Sequence, residues 1–337
     1  MQDFANAFVL LSNFVLIPSV TYGAQLALGA LGITLVFSIL RFANFAHGDT
    51  MAFGTMIAIF CTWGLQALGL SLGPLPVALI SLPVAIAITI GLVLGIDKVI
   101  YRFYRNKKVD PIILVMASVG VMFMMNGLVR ILIGTSSISF ADGSRFIIRA
   151  REFKEMTGLD EGLALRTSQV ITIVVAVAVM IALFWFLQKT RTGKSMRAFS
   201  DNEDLALLSG IKPERVVQVT WIIAATLATI GGVLYGLDKG FRPFTYFQLL
   251  LPMFAAAILG GIGQPIGAVV GGFVIAFSEV SLTYAYRRVF EYIGPEGFEV
   301  AGLAQLIQTE YKFAISFILL VIVLLIRPTG IFKGRVL

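Results

Sequence analysis

The sequence predicts an all-α polytopic membrane protein with about eight or nine transmembrane helices, including a short discontinuous pair. Hydrophobic residues make up 58% of the 337 residues and charged residues only 13%, and the mean hydropathy is +0.91. Soluble domains are about 45–50% apolar and about 25% charged. The 33 glycines and the near absence of alternating polar and apolar residues favour helices over a transmembrane barrel.

Seven apolar runs are long enough to cross about 30 Å of hydrocarbon. They lie near 21–40, 50–68, 76–96, 111–133, 168–188, 216–237 and 309–326. A further region, 249–281, is interrupted by glycine and proline at 260–265, which predicts a discontinuous pair of short arms, each about 14–17 residues. Two ordinary helices joined by a tight turn are the alternative. Residues 4–20 are apolar but short, and they either lie along the membrane interface or form a ninth span.

Basic residues are concentrated on alternate loops, and this bias predicts the orientation of the chain. Fifteen of the 26 basic residues lie on one set of loops: Arg41, Lys98, Arg102, Arg105, Lys107, Lys108, Lys189, Arg191, Lys194, Arg197, Lys212, Arg215, Arg327, Lys333 and Arg335. We therefore expect 189–215 and the C-terminus to be cytoplasmic, and 134–167 and 282–308 to be extracytoplasmic. Residues 1–337 then form a single transmembrane domain.

A short acidic helix is predicted at 200–210, between two long apolar runs. Ser200 and Glu203 have the spacing of a capping box, and Gly210 stands where a left-handed residue commonly closes a helix. A helix outside the lipid adds nothing to stability within the bilayer, so its predicted use is to contact another protein. The residues expected to make or shape that contact are Ser200, Asp201, Glu203, Asp204, Leu205, Leu208 and Gly210.

Polar and glycine residues at the spans are the second set of candidates, because ionisable groups at membrane depth are costly. The predicted translocation pathway contains Asn44, His47, Asp49, Gly260, Gly261, Gly263 and Glu279. A tight inner turn is the alternative role of the polar residues at 41–49. Glu279 either pairs with a cation, binds the ammonium group of a substrate or reaches the outer interface. Asn126 is predicted to make an interhelical hydrogen bond.

Several kinds of site are excluded by the composition. His47 is the only histidine and Cys61 the only cysteine, so no multi-histidine metal site, disulfide framework or thiol cluster is expected. Residues 192–195 imitate the end of a phosphate-binding loop, but Gln188 stands where that motif needs glycine and no strand precedes it. We expect no cofactor on this chain and no nucleic-acid partner, and we assign any ATP hydrolysis to a separate chain.

Small residues recur at the spacing used for close helix packing. They are Gly91 with Gly95, Gly232 with Gly236, and Gly263, Gly267 and Gly271. Packing between helices is their predicted role.

Four motifs, in this order, resemble the permeases of the LivH type, which belong to branched-chain amino acid ABC transporters. They are Asn44-Phe45-Ala46-His47-Gly48-Asp49, the loop from Arg191-Thr192-Gly193 through Ala206 to Gly210-Ile211, the stretch Ala257-Ile258-Leu259-Gly260-Gly261-Ile262-Gly263 with Pro265, Gly267 and Gly271-Gly272, and the ending Arg327-Pro328-Thr329-Gly330-Ile331-Phe332. The resemblance covers about 22–334. About 15 additional residues precede the family's usual start.

The resemblance implies an ABC importer permease fold in the bacterial inner membrane, surrounded by membrane lipid. It implies a second, LivM-like permease, two ABC ATPases that use ATP and magnesium, and an extracytoplasmic substrate-binding protein. The stretch from Asp204 to Gly210 also resembles the loop through which ABC importers contact their ATPases. Branched-chain or other apolar amino acids are the expected solutes, with urea or short amides as the alternative. An ion-coupled transporter that uses Glu279, Asp49 and His47, and a membrane enzyme, are the more distant alternatives.

Overall fold

The structure of the chain is a computed structural model. It describes residues 2–70, 72–73, 75–140, 146–294, 302–327 and 329–332. Within these ranges nine helices are long and apolar enough to cross a membrane, which confirms the predicted all-α polytopic class. Pro328, Lys333 and Arg335 lie outside the described residues, as do 141–145 and 295–301 of the two segments expected to be extracytoplasmic.

The elements follow one another as helices with one small pair of strands. In chain order they are α1 (Gln2–Leu40), α2 (His47–Ala67), α3 (Ala78–Asn106), α4 (Pro111–Ile133), β1 (Phe146–Ile148), α5 (Ala150–Thr157), β2 (Leu165–Arg166), α6 (Thr167–Lys189), α7 (Arg191–Asp201), α8 (Glu203–Leu208), α9 (Pro213–Lys239), α10 (Pro243–Gly260), α11 (Pro265–Thr283), α12 (Arg287–Ile293) and α13 (Thr309–Ile326). Strands β1 and β2 are antiparallel.

Helix α1 is the centre of the bundle. Between residues 19 and 36 it is buried on all sides, as expected of a helix that is apolar all round. It packs most extensively against α11 and α9. Small residues permit this close approach, because a Cβ atom on Gly272 would lie 2.8 Å from the backbone nitrogen of Ala27.

The first part of α1 extends beyond the bilayer. At about 1.5 Å per residue a helix of this length spans roughly 58 Å, against about 30 Å of hydrocarbon. It continues through a π-helical turn at Ser12–Leu16, and Ala7 and Leu10 pack on Val289 of α12. Residues 4–20 are therefore not a separate ninth element: they begin the first span's own helix, and Pro18 is accommodated because it lies just after the π-helical turn.

The interrupted region forms two helices of 18 and 19 residues, α10 and α11. The predicted arms of about 14–17 residues are too short, because α10 already begins at Pro243, where proline is well tolerated in a first helical turn. The alternative of two ordinary helices and a tight turn is confirmed. Gly261 and Gly263 have φ of 107° and 85°, which only glycine adopts easily.

Small residues at 260–271 hold α10 and α11 together. A Cβ atom on Gly267 would lie 2.2 Å from the carbonyl oxygen of Gly260, and one on Gly271 would lie 2.0 Å from that of Ala256. The packing prediction is thereby confirmed for Gly267 and Gly271, and for Gly232, where a Cβ would lie 2.5 Å from Thr55 Oγ1. For Gly263 it is wrong, because that residue lies in the turn and a Cβ there would meet only Ser38, at 3.9 Å. At Gly91 and Gly95 the packing prediction is wrong within this chain, since a Cβ atom at either position would meet no described atom of another helix within 4 Å.

The bundle has two distinct ends. At one end, here called the basic end, Arg102 pairs with Glu214 at 2.5 Å, and Ile331 donates its N–H to the carbonyl of Leu259. At the opposite end Arg288 pairs with Glu161 at 3.0 Å. The loops predicted to share a side do share an end; which end faces the cytoplasm stays a prediction.

Candidate functional site

A hairpin of two helices, α7 and α8, projects from the basic end between α6 and α9. Thr190 caps α7, its Oγ1 accepting the N–H of Gly193 at 3.0 Å. Asn202 caps α8, its Oδ1 accepting the N–H of Leu205 at 3.0 Å. Gly210 closes the hairpin with φ of 80°, and the N–H of Ile211 returns to the carbonyl of Ala206 at 3.1 Å.

The capping box predicted for Ser200 and Glu203 is wrong. Ser200 lies inside α7, which runs to Asp201, and α8 begins only at Glu203. The chain changes direction at Asn202, whose backbone is extended, so Asn202 supplies the capping oxygen. The expected left-handed closure at Gly210 is confirmed.

The tip helix α8 carries apolar side chains that its own chain leaves uncovered. Leu205 is 61% exposed and Leu208 is 85% exposed, while Ala206 faces α7 and is buried. Glu203 and Asp204 are exposed in its first turn, where acidic residues suit the helix dipole. The tip is therefore an amphipathic surface with an acidic margin, and Asp201 lies exposed beside it.

Arg41 joins the hairpin to the loop at 41–46. Its Nη2 donates to the carbonyl of Ser200 at 2.5 Å, one of the last carbonyls of α7, where a cation is favourable. The Arg41 backbone is left-handed, with φ of 60°. A cleft of about 160 Å³ separates this part of the hairpin from the turn at Gly263–Pro265.

Asn44 organises the loop that follows Arg41. Its Oδ1 accepts the N–H of Ala46 at 3.2 Å and the hydroxyl of Tyr101 at 3.3 Å. The Tyr101 ring stacks on Trp221, whose Nε1 donates to Asp97 at 2.7 Å.

Asp97 also pairs with Arg105, at 2.7 Å. This ion pair was not predicted from the sequence. The available signal was a carboxylate beside an apolar run with arginine two turns further on.

His47 and Asp49 begin α2 and are buried, but they point to different neighbours. Asp49 Oδ1 accepts the side-chain N–H of Asn126 at 2.7 Å, which confirms the interhelical bond predicted for Asn126. The ring of His47 packs on Gly32 of α1, where a Cβ atom would lie 2.5 Å from the histidine Cε1. Because the structure does not bring these two side chains together, it gives no support to a catalytic pair.

Glu279 is fully buried near the opposite end, between α1, α11 and α13. Lys312 Nζ lies 3.5 Å from its Oε2, and Ser316 donates to its Oε1. The same ammonium group lies 3.9 Å from the centre of the Tyr22 ring. Of the three alternatives for Glu279, pairing with a cation is the one observed. Lys312 was missed by the sequence analysis, although a buried acid calls for such a partner.

The glycines predicted for the pathway form the turn between α10 and α11. Gly260 packs on Gly267, whereas Gly261 and Gly263 supply the left-handed positions of the turn. The C-terminal motif lies against this turn, because Phe332 donates its N–H to the carbonyl of Gly260 at 3.2 Å. The structure thus gathers the loop at 41–46, this turn and the hairpin at the basic end, and it places Glu279 apart from them.

The opposite end is tied together by Asn6 and Glu161. Asn6 Oδ1 accepts the N–H of Glu161 at 3.3 Å, and Tyr292 donates to the carboxylate of Glu161 at 3.1 Å. Burial, followed by the hydrogen bond and charge of Glu161, raises the pKa of Tyr292 above its usual value. The additional residues at the N-terminus thereby anchor the opposite end.

Comparisons with known proteins agree with this arrangement. Residues 15–324 match the family described as the permease component of the branched-chain amino acid transport system. The chain is 31% identical over 316 residues to the high-affinity branched-chain amino acid transport system permease protein LivH of Escherichia coli K12, covering 93% of this chain and 92% of that protein. The chain belongs to this family.

Two further relatives agree with the assignment. BraD, a high-affinity branched-chain amino acid transport permease of Pseudomonas aeruginosa, is 29% identical over 94% of each chain. A probable LivH of Methanocaldococcus jannaschii is 29% identical, covering 95% of this chain and 92% of its own length. Together with the nine apolar helices, the bacterial relatives support a multi-pass permease of the inner membrane. The family is one of transport permease subunits.

Proposed function

We propose that this permease forms half of the translocation pathway of an ABC importer and couples through α8 to separate ATPase subunits. The observation that carries the proposal is the tip of the hairpin. Leu205 and Leu208 are exposed at 61% and 85% on a helix outside the apolar spans. Apolar side chains presented together on a water-facing helix are typical of a protein contact.

The contacts around Arg41 supply a route for movement. An ATPase that closes on ATP and magnesium would displace α8 and α7, and Arg41 would transmit this to the loop at 41–46 through the carbonyl of Ser200. The turn at Gly263–Pro265 faces the same hairpin across a narrow cleft. Rocking of α2 and α10 would then open the pathway alternately to each side, as repeat-based transporters do.

The predicted pathway residues Asn44, His47, Asp49, Gly260, Gly261, Gly263 and Glu279 keep that role in the proposal. Glu279 acts there through its ion pair with Lys312 rather than as a free carboxylate. The same ion pair, and the bond from Asn126 to Asp49, leave an ion-coupled transporter with less support than an importer driven by ATP.

Branched-chain amino acids are the proposed solutes, delivered by a substrate-binding protein and shared with a LivM-like second permease. The support is the family and the names of the relatives. In vesicles that contain the complete complex, we expect binding-protein-dependent uptake of leucine to exceed that of urea or acetamide. Preferential uptake of urea or acetamide would assign the importer to those solutes.

The test of coupling reverses the charge of the tip. In the complete reconstituted complex, Glu203→Lys with Asp204→Lys is expected to abolish leucine uptake and to weaken retention of the ATPase subunits during purification. Like charges placed against a matched surface cost binding energy.

A matched control is available at the opposite end. Glu152 and Glu155 are exposed acids on α5, and Glu152→Lys with Glu155→Lys is expected to leave ATPase retention unchanged. Normal uptake and ATPase retention in the tip variant would contradict the proposal.

A further inference from the structure

A cleft of about 430 Å³ lies at the base of the hairpin, between the start of α7 and the start of α9. Three cations line it, Arg191, Lys212 and Arg215, together with the hydroxyl residues Thr192 and Ser195. No acidic residue is among the residues that line it. Of the residues given a coupling or translocation role above, only Gly210, which closes the hairpin, lines this cleft.

The three cations have no ion-pair partner in the part of the chain that is described. At the same end Arg102 pairs with Glu214 and Arg105 pairs with Asp97, whereas none of the residues that line this cleft is acidic. All three side chains are exposed, so solvent screens their mutual repulsion. An anion in the cleft would be attracted by all three cations at once, and the arrangement therefore favours a negatively charged occupant.

The backbone of α7 adds hydrogen-bond donors to the cleft. Because Thr190 Oγ1 accepts the N–H of Gly193, the N–H groups of Arg191 and Thr192 in the first turn are left without an intrahelical acceptor. The first turn of α7, which carries the positive end of the helix dipole, includes Arg191 and Thr192, and both line the cleft. Guanidinium groups, an ammonium group, hydroxyls and N–H groups together suit a compact anion with several oxygen atoms, and phosphate is such an anion.

The position of the cleft indicates where the phosphate comes from. Helix α6 ends at Lys189 and α9 begins at Pro213, so the cleft lies level with the ends of two membrane spans. Lipid headgroups occupy this level. The tip helix α8, with its exposed leucines, lies in sequence between the two segments that line the cleft.

We propose that this cleft binds the phosphate of an anionic phospholipid headgroup, such as that of phosphatidylglycerol, in the leaflet at the basic end. The bound headgroup joins the start of α7 to the start of α9 and so braces the base of the hairpin. The inference depends on the cleft and the spans and not on the transport function.

The test measures lipid binding to the purified full-length chain in neutral detergent. Native mass spectrometry is used to titrate phosphatidylglycerol and phosphatidylcholine of equal acyl length. We expect the wild type to prefer phosphatidylglycerol. The triple variant Arg191→Gln, Lys212→Gln and Arg215→Gln should lose that preference. Its affinity for phosphatidylglycerol should fall on the order of fivefold for each cation lost.

The control removes three exposed lysines that do not line the cleft, by Lys107→Gln, Lys108→Gln and Lys194→Gln, and it should retain the preference. Equal loss in both triple variants, or no preference in the wild type, would overturn the proposal. Should the triple cleft variant fail to fold, Lys212→Gln alone must still weaken phosphatidylglycerol binding by about fivefold.

Two competition experiments identify the source of the anion. Inorganic phosphate at millimolar concentration should not displace phosphatidylglycerol; displacement would assign the cleft to soluble phosphate. Displacement by added ATPase subunits would assign it to a protein partner and overturn the lipid assignment.

Discussion

At the scale of single residues, Asn202 determines where the tip helix begins. Asn202→Ala removes the oxygen that accepts the N–H of Leu205, and loss of such a cap costs about 1 kcal/mol. We expect amide exchange in the peptide 203–210 to accelerate on the order of fivefold, as measured by hydrogen–deuterium exchange with mass spectrometry.

Ser200→Ala is the matched control for that measurement. Its backbone carbonyl binds Arg41 and is retained in alanine, so exchange in 203–210 should stay at the wild-type rate. Faster exchange in the Ser200→Ala variant than in the Asn202→Ala variant would contradict the cap at Asn202.

The sequence predicted the tip helix but placed its cap two residues too early. Ser200 and Glu203 have the right spacing, yet spacing alone does not show that α7 continues to Asp201 and ends at the extended residue Asn202. Contacts between residues far apart in sequence could not be predicted from the sequence either. Lys312 lies 33 positions after Glu279, and only the packing of α13 on α11 brings them together.

At the scale of elements, the crossing of α10 and α11 depends on the absence of side chains. Gly267→Ala would place a Cβ 2.2 Å from the carbonyl oxygen of Gly260. The carbonyl oxygen belongs to one helix backbone and the Cβ is attached directly to the other, so neither can rotate away. The helices must therefore separate, at a cost of about 1–3 kcal/mol. We expect a lower melting temperature for the purified chain, followed by circular dichroism at 222 nm.

Gly91→Ala is the control for this crossing. The added methyl group would meet no described atom of another helix within 4 Å, and alanine favours a helix over glycine by about 1 kcal/mol. The melting temperature should therefore stay equal or rise. A fall in the Gly91→Ala variant as large as that in the Gly267→Ala variant would refute the packing argument.

The spans were predictable because long apolar runs are a direct signature of the bilayer. The ends of the spans were harder to predict. Helix α10 begins within the less apolar stretch at 243–248, and α1 continues through the polar residues Ser12 and Asn13. A helix outside the lipid needs tertiary contacts rather than hydropathy to persist. Here Asn13 supplies one, accepting the N–H of Ala164 at 3.2 Å.

At the scale of the whole molecule, the family motifs converge on one end. The loop after Arg41, the hairpin, the turn at 260–265 and the ending at 329–332 are far apart in sequence but linked by Arg41 to Ser200 and by Phe332 to Gly260. This convergence suits a bundle that is moved at its basic end. The ion pair between Glu279 and Lys312 holds helices together near the opposite end.

The orientation of the bundle can be tested with the single native cysteine removed by Cys61→Ser. In that background, Asp204→Cys and Lys107→Cys place reporters at the basic end, and Lys154→Cys places one on α5 at the opposite end; all three positions are exposed. The basic loops predict that the first two face the cytoplasm. In intact cells a membrane-impermeant maleimide should label only the Lys154→Cys variant, and permeabilisation should expose the other two. Labelling of the Asp204→Cys variant in intact cells would place the tip helix outside, where no ATPase could reach it, and the coupling proposal would fail.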